Sequence, residues 1–159
     1  MIIREKTACF TGHREIAENP DILFLKVCSI VEKLIKQGYL YFGAGGARGF
    51  DTLASEAVLK LKENYPQIHL ILVLPFHQQY AKEKGWNTDE IKRYHVLKEK
   101  ASKVIYTQQA YSPGCYYKRN RHLMDFSSVC ICYQYKNTGG TAYTAKYARE
   151  KGLTIKKVR

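Results

Sequence analysis

Three short glycine-bearing clusters are built for holding an anion: Gly43-Ala44-Gly45-Gly46-Ala47-Arg48-Gly49, Ser112-Pro113-Gly114-Cys115 and Thr138-Gly139-Gly140-Thr141. Each stands between a strand-like apolar run and a helix-like stretch. The first N–H groups of a helix have no internal partner and lie at the positive end of the helix dipole. A phosphate or carboxylate placed there is bonded by backbone and favoured by charge. Glycine lets the anion come close because it has no Cβ and tolerates positive φ. The expected chemistry is binding of a phosphate-bearing ligand outside the carboxyl ends of α/β strands, with plain turn formation as the alternative for any single cluster.

Side chains beside these clusters have both ligand and structural readings. Gly12 ends an apolar run and would let His13 and Arg14 reach over a ligand, Arg14 as a bidentate phosphate clamp and His13 as donor or proton carrier. The alternative is a surface turn in which His13 caps a carbonyl. Gly45, Gly46 and Gly49 would shape a second phosphate loop. Asp51 would accept from a ribose hydroxyl, act as a base, or serve as an ordinary N-cap; it is the one catalytic candidate, and a weak one. Gly139, Gly140 and Thr141 offer backbone N–H groups and a hydroxyl at a helix start, against a loop with Thr141 as its cap.

The elements that must position these groups alternate along the chain. Thr7 to Thr11 reads as a buried strand, and Asp21 to Lys36 has apolar residues at helical spacing, closed by Gly38. Leu40 to Phe42 is a second strand, leading through the glycine cluster into a helix from about Thr52 to Asn64. The run from Ile68 to Leu74 is almost wholly apolar and ends at Pro75, which predicts a strand covered on both faces and placed at the sheet centre. Phe76 to Trp86 reads as a loop, with Trp86 as part of a lid or an anchor. Asn87 to Lys100 reads as a helix with Thr88 as N-cap. Val104–Tyr106, Val129–Tyr133 and Leu153–Val158 are strand candidates, and Tyr116–Phe126 and Ala142–Lys151 helix candidates. This alternation predicts a single Rossmann-like α/β domain over residues 1–159: three layers, with a mostly parallel sheet and helices on both faces.

Composition narrows the classes. A 45% hydrophobic and 25% charged chain is that of a globular protein, and no stretch offers the ~20 apolar residues a membrane span needs. Met1 to Lys6 lacks the apolar core of a signal peptide, so a cytoplasmic location is expected. Five cysteines without framework spacing argue against a disulfide scaffold; Cys130 and Cys132 read as buried strand residues rather than a metal or redox pair, and no metal site is expected. The 26 Lys and Arg against 14 Asp and Glu are scattered among acids and aromatics, which suits an anionic ligand as well as nucleic acid. Among 13 tyrosines, Tyr80, Tyr94, Tyr111, Tyr116, Tyr117 and Tyr143 flank the proposed loops, as base-stacking groups or as interface and core-edge aromatics.

The series Cys9-Phe10-Thr11-Gly12-His13-Arg14, then Gly45 to Ala54, then Tyr111-Ser112-Pro113-Gly114-Cys115 with Lys118-Arg119-Asn120-Arg121, then Gly139-Gly140-Thr141 resembles the YpsA-like branch of the SLOG superfamily. That superfamily joins the DNA-processing Smf/DprA proteins and the LOG cytokinin-activating enzymes on Rossmann-like folds. The resemblance covers nearly the whole chain. It implies a nucleotide or nucleotide-derived ligand at the strand ends, with Arg119 and Asn120 contacting phosphate and base or sugar. It also implies a homo-oligomer that completes its sites by pairing.

Three functions follow as expectations. The first is a binding module or sensor that needs no catalytic group or separate cofactor. The second is a LOG-like phosphoribohydrolase cleaving the N-glycosidic bond of a nucleoside monophosphate. Here the chain departs from the LOG pattern: the longer Pro-Gly-Gly-x-Gly-Thr loop is reduced to Thr138–Thr141, and Tyr143 and Thr144 stand where a glutamate is expected, leaving Asp51 or Glu56 to substitute. The third is DprA-like single-stranded DNA binding, supported by charge and tyrosines but lacking a continuous basic stripe. The first leads.

Overall fold

The computed structural model describes residues 3–159; Met1 and Ile2, part of the N-terminal segment read above as lacking a signal core, lie outside the described residues. After a 3₁₀ turn at Arg4–Lys6, the strands are β1 (Thr7–Gly12), β2 (Tyr41–Ala44), β3 (His69–Leu74), β4 (Lys103–Tyr106), β5 (Val129–Tyr133) and β6 (Thr154–Lys157). The helices are α1 (Pro20–Lys36), α2 (Phe50–Lys62), α3 (Gln79–Lys82), α4 (Thr88–Lys100), α5 (Cys115–Asp125) and α6 (Gly140–Glu150). All strand pairs are parallel, in the order β4-β3-β2-β1-β5-β6. The fold is the expected Rossmann-like α/β architecture.

Strand alternation sorts the core into two layers. Ala8 and Phe10 of β1, Leu70, Leu72 and Leu74 of β3, and Val129, Ile131 and Tyr133 of β5 face one way, onto α1, α2 and α4. Their neighbours Cys9, Ile71, Val73, Cys130 and Cys132 face the other way, toward α5 and α6. Period two on the strands thus places one set of side chains in each layer. All five cysteines are free; Cys9, Cys115, Cys130 and Cys132 are buried, and burial pushes the Cys132 thiol up to about 11.

The chain steps outward from β1 through β2 and β3 to β4, then crosses back over α5 to β5 on the other side of β1. That reversal puts the topological switch point between β1 and β5, where strand ends diverge and leave a crevice. It also corrects one expectation. The apolar run is β3, second from the edge; β2 and β1 are central. Its uniform apolarity comes from the two layers that cover it, and says nothing about rank in the sheet.

Boundaries differ by at most two residues, and β5 agrees at both ends. Asn87, not Thr88, caps α4, in a capping box with Glu90 (Glu90 N–H to Asn87 Oδ1 2.8 Å; Asn87 N–H to Glu90 Oε1 2.9 Å). The loop after β3 contains the short α3, and Gln78 before it is the one non-glycine among the described residues at positive φ (55°). Trp86 packs against Tyr80 and Tyr94, ring centroids 6.2 and 5.6 Å away, which makes it an anchor of that segment. No described helix is long and apolar enough to cross a membrane.

Candidate functional site

A cavity of about 880 Å³ opens at the switch point. Its floor is the end of β1 with Gly12 to Glu15. One wall is the loop after β5 with Lys136 and the start of α6; another is Asp51 with Arg119 and Asn120. The end of α3 and the residues after it close it with Lys82, Glu83 and Lys84, and Tyr111, Tyr116, Tyr117 and Tyr135 supply aromatic surface. Of the twelve residues read from sequence, Gly12, His13, Arg14, Asp51, Arg119 and Asn120 line this cavity, together with Gly139, Gly140 and Thr141. Gly45, Gly46 and Gly49 do not.

The reason is steric. At Gly49 (φ 80°) a Cβ would overlap the Arg14 carbonyl, and at Gly46 (φ 72°) the Leu74 side chain. A Cβ on Gly45 would stand 2.7 Å from the Arg119 guanidinium, whose Nη1 donates to the Gly45 carbonyl. The Phe50 N–H, at the start of α2, donates to the His13 carbonyl at 3.2 Å, and Ala47 N–H to Asp51 Oδ2 at 3.2 Å. The chain itself therefore fills the α2 N-terminus, and these glycines permit close packing of backbone on backbone. Gly12 acts alike: its missing Cβ makes room for the Phe50 ring.

The start of α6 is different. Gly139 is its N-cap at φ 93°, with no side-chain cap, and a Cβ at Gly139 or Gly140 would meet nothing within 4 Å. The first N–H groups of α6 thus face the cavity, with Lys136 nearby in the lining. Thr141 is buried within the first turn and does not cap it.

Arg119 is 3% exposed. Its Nε donates to Asn120 Oδ1 at 2.7 Å, and Asn120 Nδ2 donates to Thr144 Oγ1 at 3.0 Å, so one polar chain ties the β2 loop, α5 and α6. Burial disfavours both charges, lowering the pKa of the Arg119 guanidinium and raising that of the buried Asp51 carboxyl; each charge opposes the shift of the other. Asp51 both lines the cavity and accepts from its own loop. His13 Nε2 accepts from the Tyr135 and Lys136 N–H groups (3.1 and 3.3 Å), which leaves its proton on Nδ1. Burial, then Lys136, holds its ionisation below the ordinary 6.5. Arg14 pairs through Nε with Glu83 Oε2 at 3.0 Å and lies over the Tyr116 ring at 5.5 Å.

Lys82, Glu83, Lys84, Tyr135 and Lys136 had no sequence signal, because they reach the cavity from the end of the short α3 and from loops of unremarkable composition. Glu56 is outside it, engaged by Arg93 at 2.5 and 3.0 Å. Among the described residues no group of three or more His, Cys, Asp or Glu is placed to hold a metal.

Comparison with known proteins supports the fold. The solved structure of DNA processing protein A (DprA) from Streptococcus pneumoniae superposes with a TM-score of 0.67 at 16% identity, over 98% of this chain and 51% of that one. A structure of DNA processing protein A from Helicobacter pylori, described for its single-stranded DNA binding mode, gives 0.64 at 19% identity, over 94% and 63%. A UPF0398 protein of Halalkalibacterium halodurans is 30% identical over 121 residues, 74% of this chain and 62% of the relative; one from Bacillus thuringiensis is 26% identical over 74% and 64%. The chain thus spans less than two thirds of the length of these curated relatives. The model of the YpsA family, described as the YspA SLOG family, matches residues 11–157, and the chain belongs to that family.

Proposed function

We propose that the switch-point cavity binds a nucleotide or nucleotide-derived ligand and that the protein works as a binding module or sensor. The observation that carries this is the start of α6, whose unfilled N–H groups face a cavity of about 880 Å³ next to Lys136. A volume in the range of roughly 300–1,000 Å³ suits a small-molecule ligand. The phosphate lies at Gly139, Gly140 and Thr141; tyrosine faces stack the base. Arg119 and Asn120 hold the inner wall in register. Occupancy is read by a partner or a second copy in a cytoplasmic homo-oligomer, a state that light scattering with and without ligand measures.

The test is incubation with nucleoside monophosphates, NAD and ADP-ribose, following thermal shift and base release in the same samples. Stabilisation without released base is expected. Released base that disappears in Asp51→Ala would instead make the protein a phosphoribohydrolase, with the carboxylate beside the cavity as its base. Asp51 already accepts the Ala47 N–H, which favours the non-catalytic reading.

Single-stranded DNA binding is a second reading, favoured by the exposed Tyr111, Tyr117 and Tyr143 at the rim, with Arg121 3.4 Å from the Tyr143 hydroxyl. A steep fall of DNA affinity with salt supports it. Weak, salt-insensitive binding removes it.

A further inference from the structure

We propose that Glu83 reads the ribose of the bound nucleotide, so that the cavity selects ribonucleotides over 2′-deoxyribonucleotides; this rests on the nucleotide reading above.

A carboxylate in an anion-binding cavity repels phosphate, so its presence calls for a different ligand group. Glu83 is held there firmly. Its side chain is 9% exposed, with Oε2 3.0 Å from Arg14 Nε and Oε1 accepting from Gln79 Nε2 at 3.3 Å. Gln79 is fully buried and its Oε1 has no hydrogen-bond partner, so its amide is committed to orienting Glu83 rather than to satisfying itself. The Glu83 charge acts on Asp51, Arg119 and Tyr116, whose hydroxyl is raised to about 12 by burial first and by Glu83 next. Those neighbours set Glu83 beside Asp51, Arg119 and Tyr116 in the cavity lining.

A carboxylate has about four acceptor positions, of which Arg14 and Gln79 use two. The remaining acceptors require donors. In a nucleotide the donors next to the phosphate are the sugar hydroxyls, and a hydroxyl bonded to a carboxylate forms a strong, charge-assisted bond. A 2′-deoxy sugar leaves one acceptor of this largely buried carboxylate without its donor, which is how a polar site rejects a ligand lacking one hydroxyl.

Calorimetric titration with AMP and 2′-deoxy-AMP tests this directly, on the wild-type chain and on Glu83→Gln. Wild type is expected to bind AMP about tenfold more tightly than the deoxy form, and Glu83→Gln to bring the ratio close to one. A ratio near one in the wild type overturns the inference and leaves the nucleotide reading standing. Binding of neither nucleotide removes both. If Glu83 only positions Arg14 or the α3 segment, the variant weakens both nucleotides alike and keeps the tenfold ratio, which also overturns the inference. Should Glu83→Gln not fold, Glu83→Asp takes its place: the shortened carboxylate is expected to bring the ratio toward one, and an unchanged tenfold ratio overturns the inference.

Discussion

Two helices of this protein begin at glycine-rich turns that look alike in sequence, and the structure uses them in opposite ways. At α2 the turn Gly45–Gly49 is closed by the chain: the His13 carbonyl takes the Phe50 N–H, the Arg14 carbonyl sits where a Gly49 Cβ would be, and Arg119 fills the space over Gly45. At α6 nothing stands against Gly139 or Gly140. A glycine before a helix therefore has two distinct uses, dense backbone packing and an open anion seat, and only the third dimension separates them.

Substitution separates them experimentally. Gly49→Ala is expected to have the largest effect, a loss of about 3 kcal/mol or more, because the new Cβ meets backbone and the φ of 80° disfavours any side chain. Chemical denaturation measures it; a near-neutral result would show that the α2 turn is not packed as described. Arg119→Ala comes next. A guanidinium buried against Gly45 and Asn120, beside Asp51, leaves unpaired groups when deleted, so about 3 kcal/mol of stability should go with the affinity.

At α6 the expectation reverses. Gly140→Val projects into the cavity, so nucleotide affinity should fall about tenfold or more while Tm stays within about 2 °C of wild type. Equal loss of stability at both turns would erase the distinction between them.

The smallest effect is a pH dependence at the tie between β1 and the loop leading to α6. The His13 imidazole is held below 6.5 in the folded protein, while the unfolded chain protonates near that value. Its contribution is therefore complete above pH 6.5 and is lost as pH falls from 6.5 through the lowered folded value. Protonation would also break both amide bonds to Nε2. His69 and His122 shift in the same direction, so His13→Gln should reduce the fall in Tm between about pH 7.5 and pH 5.5 without abolishing it.

Much of the scaffold was legible from local pattern. Alternating apolar runs and amphipathic stretches predicted every strand and every long helix, because burial of one face imposes period two or 3.6 on the chain wherever it is long enough to show it. Short α3 escaped, being four residues in a loop of mixed composition. The capping of α4 moved by one residue, since Asn87 and Thr88 are both good caps and only the reciprocal bond to Glu90 chooses between them. Lys136 and Glu83 were invisible as cavity residues because single charged residues in loops carry no spacing signal.

By itself the sequence determined the α/β alternation and the set of glycine turns, which rest on short-range periodicity and backbone freedom, while the family followed from the resemblance of its motifs. Strand order, the place of the crevice between β1 and β5, the closing of the α2 turn and the meeting of Glu83 with Arg14 were decided by the tertiary structure. Those features join residues tens of positions apart, and no local pattern encodes which turn another part of the chain will come to fill.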